Sequence, residues 1–215
     1  MSRTTRRRVA RAAAPAAGLL AAGLLVWQGS YAAFSATTTN AADAWSTGSL
    51  ALQNNGGTTA FAGSTTALFR GTVAGQPENN IKIGSTGTKC ITVQSSGSLA
   101  GNLKMYASGI TGTNVAALAP NLALTVDAVG VTAATNVQSD CSGFPTTGLT
   151  SVASNVALSA FPTSYATATT SMPVAAGTAR VAYRITWTLN TTGTPGGDNA
   201  LQNSSAQADL TWEIQ

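Results

Sequence analysis

From Arg180 to Leu189 the chain alternates without a break: Val181, Tyr183, Ile185, Trp187 and Leu189 fall on one side, and Arg180, Ala182, Arg184, Thr186 and Thr188 on the other. Period two over ten residues marks a half-buried strand, because successive side chains leave the pleat on opposite faces. The C-terminal stretch repeats the pattern, with Ala206, Ala208, Leu210, Trp212 and Ile214 alternating with Gln207, Asp209, Thr211 and Glu213. Both apolar rows, from Val181 to Leu189 and from Leu210 to Ile214, are candidate core. Between them Gly193 to Asn199 (GTPGGDN) supplies the Gly, Pro and Asn that turns use. The pattern predicts two long strands joined by a 16-residue connection and lying side by side in one antiparallel sheet.

Weaker alternations upstream predict strands at Lys89 to Gln94 (Ile91 and Val93 inward), Leu99 to Tyr106, and Leu122 to Ala128. Thr150 to Phe161 predicts one or two more, and Ser49 to Gln53 and Thr66 to Val73 are earlier candidates. Segments 54–65, 130–148 and 162–178 read as loops. Outside the N-terminal region no window sustains a 3.6-residue period with caps. Short strands separated by Gly/Ser/Thr turns, without an internal repeat, predict an all-β fold of β-sandwich type in a single domain.

The first thirty-odd residues read as an address. Arg3, Arg6, Arg7, Arg8 and Arg11 precede an uncharged Ala/Gly/Leu run from Ala12 to Trp27, and Ser30-Tyr31-Ala32 offers small residues for cleavage between Ala32 and Ala33. This is the layout of a secretory signal peptide over 1–32. The run is shorter than the roughly 20 residues of a membrane span, so cleavage is favoured over retention as an anchor. Thr5-Arg6-Arg7-Arg8-Val9 also admits a twin-arginine reading, although a basic leader explains it equally well. The expected location is extracellular or at the cell surface, with membrane contact only through an uncleaved leader.

Removing the leader changes the charge. Eleven Lys+Arg against seven Asp+Glu become six against seven in 33–215, a net charge of −1. Such a body lacks the cationic surface that drives nucleic-acid binding. Ser and Thr supply the polar surface instead, 49 of 183 residues. The chain has no His, which removes His-based triads, HExxH metalloprotease chemistry and most zinc sites. Asp127, Asp140 and Asp198 form no D-x-D calcium loop, and Glu78 has no helix or partner in the pattern, so no catalytic, cofactor or metal residue is expected. In an exported chain the two cysteines, Cys90 and Cys141, most simply form a structural disulfide.

Three blocks carry a resemblance. Gly29-Ser30-Tyr31-Ala32-Ala33-Phe34-Ser35-Ala36-Thr37-Thr38-Thr39-Asn40, followed by Trp45-Ser46-Thr47-Gly48-Ser49-Leu50-Ala51-Leu52, resembles the entry region of the TasA/camelysin family of exported bacterial proteins. That family has a Tyr-Ala-x-Phe-Ser step after its apolar run and a Thr/Asn-rich stretch leading into the first strand. Cys90 to Met105 is similar to its strand–turn–strand block, and Tyr183 to Trp212 to its closing pair. Together the blocks span about a third of the chain. The resemblance implies a jelly-roll-like sandwich over 49–215, an alternate type of signal peptide, and assembly into biofilm-matrix fibres. In such fibres an extended N-terminal segment, here within 33–48, completes a sheet of the next subunit. Carried onto this chain, the donor is about Ala33 to Ala44, with Phe34, Ala36 and Thr38 on one face. The metalloprotease label given to some members does not carry across, since this chain lacks His.

Two readings of 33–44 stand: a donated strand, or a tail left by signal cleavage. The first makes the chain a fibre subunit whose partner is itself, with cell-surface or matrix components beside it. The second makes it a monomeric secreted binding module or adhesin.

Overall fold

The computed structural model describes residues 36–39, 45–46, 50–63, 66–71, 76 and 78–215. The leader, the cleavage pair Ala32 and Ala33, and Phe34 lie outside the described residues. The fold is all-β. One antiparallel sheet takes strands β1 (Ala36–Thr39), β2 (Trp45–Ser46), β5 (Gly101–Thr111), β8 (Met172–Val174) and β10 (Gln207–Ile214), in the order β2-β1-β10-β5-β8. The other takes β3 (Leu52–Asn54), β4 (Thr86–Ser95), β6 (Leu122–Val131), β7 (Thr150–Ala157) and β9 (Ala179–Leu189), in the order β3-β4-β9-β6-β7.

The alternating segments become the long central strands because each has a full apolar row to bury. β9 pairs along its length with β4 on one side and β6 on the other, from Val131↔Arg180 to Leu122↔Leu189 in the second case. β10 lies between β1 and β5. The expectation that the last two strands are neighbours in one sheet is therefore corrected. They belong to opposite sheets, and the connection 190–206 carries the chain from one to the other. Their apolar rows meet face to face instead, with the rings of Tyr183 and Trp212 5.6 Å apart. Two strands that each own a hydrophobic row bury more by facing across a core than by sharing a sheet edge.

Val181, Tyr183, Ile185, Trp187, Leu210, Trp212 and Ile214 are all buried in this main core, joined by Ile91, Val93, Leu103, Met105 and Val126. Leu189 is buried too, in a satellite cluster with Leu118 and Leu201 at the end of the sheet. A third cluster lies on the outer face of the β4–β9–β6 sheet, where Cys90, Val129 and Ala182 meet Val137 from the segment that follows β6.

Four further segments have local explanations. Thr66 to Val73 forms no strand in its described part; Leu68 is buried and Phe69 packs on the main core as an irregular covering segment. The 162–178 loop contains β8, which pairs with Gly101–Leu103 and covers that edge of β5. Thr150 to Phe161 divides into β7 and a single 3-10 turn, Leu158–Ala160. The GTPGGDN turn is a short helix, α2 (Pro195–Ala200), following α1 (Val115–Leu118). Thr194 caps α2 by accepting from the Gly197 N–H at 3.2 Å, with Pro195 at the first position where a missing N–H costs nothing.

Candidate functional site

Two places in the fold carry the residues that sequence reasoning singled out, or that hold unusual chemistry. The first is the seat of the N-terminal segment. Ala36–Thr39 is a strand between β2 and β10, in antiparallel register with Ala36 opposite Ile214, Thr38 opposite Trp212 and Thr39 opposite Thr211. Its partner on one side is remote in sequence, more than 170 residues away. The structure supplies that partner: β10 of the same chain. Without β1, the edge of β10 opposite β5 would present its N–H and C=O groups unpaired.

The second place is built around the outer face of β9. Asn54 ends β3 and Asn55 follows it, and both are buried, 0% and 3% exposed. The Asn55 side chain acts as a three-way tie. Its Oδ1 accepts from the Thr92 N–H of β4 at 2.8 Å and from the Gly57 N–H at 3.1 Å. Its Nδ2 donates to the Thr58 carbonyl at 2.6 Å and to the Val137 carbonyl at 3.3 Å. The loop after β3 and the segment after β6 are thus held to β4 and to each other. Gly57 adopts φ 74° and its carbonyl accepts from the Ser139 N–H at 2.8 Å, while the Ser139 carbonyl accepts from the Cys90 N–H at 3.1 Å. An added Cβ at Gly57 would collide with Ser139, so glycine is required there by both conformation and space.

The disulfide joins Cys90 of β4 to Cys141 of the same overlying segment, with Cα atoms 4.9 Å apart. It closes over the outer cluster of Val129, Val137 and Ala182, with Phe144 and Leu149 packed alongside. Cys141 itself has φ 67°, left-handed backbone at a non-glycine residue. Burial inside an apolar cluster and saturation of the neighbouring amides make this a clamp for the segment.

Between the two tethered segments lies a recess of about 220 Å³. Thr58, Thr59 and Phe61 come from the loop after β3, Ala133, Thr135 and Asn136 from the segment after β6, and Arg180 from the start of β9. The Arg180 guanidinium is fixed on three sides. Its Nε donates to Gln94 Oε1 at 2.7 Å, its Nη1 to the Ala133 carbonyl at 2.8 Å, and its Cζ lies 4.7 Å from the Phe61 ring centre. Among the described residues no carboxylate is within ion-pair distance of it. Arg184, four residues on along the same face, pairs with Asp127 at 2.7 Å across β9–β6 and lies 5.1 Å from the Phe144 ring.

Several of the other titratable groups have structural partners. Tyr106 donates to Glu213 at 3.0 Å across β5–β10, and burial together with that carboxylate pushes its phenol up. Lys104 donates to the Ala168 carbonyl at 2.7 Å. Asp198 accepts from the Thr192 N–H and from the Thr191 and Thr192 hydroxyls, which holds its carboxyl below the usual carboxylate range. Asp140 is held low in the same way by the Ser142 N–H and hydroxyl. Among the described residues no group of three or more potential metal ligands occurs, and no helix is long and apolar enough to cross a membrane.

Sequence reasoning missed the recess. Arg180 reads there only as the polar end of a strand, and Phe61, Thr59 and Asn136 lie in segments with no periodicity. The Asn54-Asn55-Gly56-Gly57 run, a turn-forming cluster, was the one local hint of an ordered loop. No known family model matches the sequence, and no curated protein matches it either.

Proposed function

We propose that the chain is an exported structural protein, a subunit of extracellular matrix or cell-surface fibres assembled by strand donation between copies. The observation that carries this reading is the seat of residues 36–39 on β10. A four-residue N-terminal strand pairs with the last strand of the chain, so the same antiparallel register is available to the N-terminal segment of a second copy. Main-chain pairing of this kind is indifferent to which chain provides the strand. The leader, the low charge and the Ser/Thr-rich surface agree with export and close lateral association, since little self-repulsion opposes it. The resemblance to the TasA/camelysin family points the same way. The strand succession also suits a jelly-roll, because from β4 onward the chain passes repeatedly between the two sheets.

The test is negative-stain electron microscopy of the secreted protein beside a version lacking residues 33–44, with free 33–44 peptide added in excess to the intact protein. Fibres from the intact chain, none from the truncation, and fewer or shorter fibres with peptide are expected. Monodisperse intact protein across a wide concentration range would sink the reading. A second reading, a monomeric secreted binding module, is favoured by the pairing of β1 within its own chain. Neither reading involves catalysis.

A further inference from the structure

We propose that the recess at the start of β9 is a binding site for one acidic sugar unit, a uronic-acid-type monosaccharide whose carboxylate pairs with Arg180. Carboxylate recognition rests on the state of the guanidinium. Arg carries five N–H donors in a planar fork, and among the described residues two of the Arg180 donors are used. The remaining N–H groups have no acceptor and the charge has no counter-ion among the described residues. Gln94, Ala133 and Phe61 hold the group in place, so little side-chain freedom is left to lose on binding. The contrast with Arg184 is informative. On the same strand face, Arg184 is neutralised by the cross-strand Asp127, whereas the residue opposite Arg180 on β6 is Val131 and on β4 is Gln94.

The surroundings select a sugar over a plain carboxylate. Thr59 and Asn136 line the recess with exposed side chains, and among the described residues no hydrogen bond engages either side chain. They supply a hydroxyl and a carboxamide, groups that both donate and accept, as ring hydroxyls require. The volume of about 220 Å³ is below that of sites for drug-sized ligands, so it fits a single small unit. The tether at Asn55 and the Cys90–Cys141 bridge fix both walls, so the site is preformed.

The site is independent of strand donation, because its residues lie on the other sheet from β1 and β10. The test is an amide-resolved NMR titration of the secreted protein with sodium glucuronate, glucose, acetate and a short acidic peptide. For a ligand of this size a dissociation constant of about 1 mM is expected for glucuronate. Saturating shifts should centre on 58–61 and 133–136, and glucose and acetate should bind at least about tenfold more weakly. Arg180→Met should abolish binding. Because Arg180 also braces the fold, Thr59→Val and Asn136→Ala provide the second arm; neither removes an internal hydrogen bond, and each should weaken glucuronate severalfold with an unchanged spectrum elsewhere. The proposal is overturned if glucuronate shifts do not saturate, if they survive in all three variants, or if acetate or the peptide binds as well as glucuronate.

Discussion

Replacing the disulfide by Cys90→Ala with Cys141→Ala removes a cross-link between residues 51 apart in sequence. On the chain-entropy model this cross-link denies the unfolded chain about 4 kcal/mol of conformational freedom at room temperature. In the folded state the overlying segment keeps its other ties: Ser139 to Cys90 and Gly57, and Val137 to Asn55. The fold should therefore survive, with most of the change falling on the unfolded ensemble. Urea unfolding of the secreted protein should show a loss of about 4 kcal/mol and a steeper denaturant slope, since the uncrosslinked chain expands further. For a chain of this size that corresponds to a fall of roughly 8–16 °C in Tm. The backbone at 141 provides an internal control. With φ 67° there, Cys141→Gly should restore about 0.5–1 kcal/mol relative to Cys141→Ala, because glycine enters the left-handed region without a Cβ penalty. A loss below about 1 kcal/mol would refute the clamp, given a predicted value near 4. Equal stability of the Ala and Gly versions would refute the left-handed backbone at 141.

Asn55→Ala removes four hydrogen bonds at a residue 3% exposed and strands the Thr92 N–H, so a loss of about 2–4 kcal/mol is expected in urea, with faster hydrogen exchange at 57–61 and 137–139. Unchanged exchange there would mean that the loops are held by something else. Trp212→Ala deletes the largest of the fully buried side chains among the described residues, 0% exposed, and should cost about 3–5 kcal/mol by thermal or urea unfolding. A cost near that of a surface substitution would deny that the sheets pack through this position. Asp198 and Asp140 have folded-state affinities for protons depressed by their hydroxyl and N–H donors. Their contribution to stability is present above the unfolded carboxylate value of about 3.9 and is lost as pH falls through the lower folded values. Asp198→Asn should flatten the decline of the urea midpoint below about pH 4, and an unaltered acid slope would count against that assignment.

How far the sequence reveals this molecule depends on the range over which its signals act. Period-two alternation is local, and Arg180 to Leu189 and Gln207 to Ile214 show it because one face of each strand is buried in the main core while the other, Ala182 and Thr211 apart, is less buried. The same alternation says nothing about which sheet a strand joins, so Trp187 and Trp212 read equally well as sheet neighbours or as partners across a core. Choosing between those arrangements requires knowing where a 16-residue connection leads, and Gly/Pro/Asn composition marks a turn without giving its direction. The Cys90–Cys141 bridge was legible because only one pairing exists. What it fastens was not, since Val137 and Phe144 occur in a stretch without periodicity and acquire meaning only when laid over Val129 and Ala182. The recess stands at the far end of this scale. Its residues come from three segments spanning positions 58 to 180, and each is ordinary by itself: a threonine in a turn, a phenylalanine in a loop, an arginine at a strand start. Their chemistry arises from the absence of an acid opposite Arg180, where Val131 faces it across β6–β9, and from the Asn55 tie that brings Thr59 and Asn136 alongside. A missing counter-charge is a property of register, and register exists only after the strands have paired.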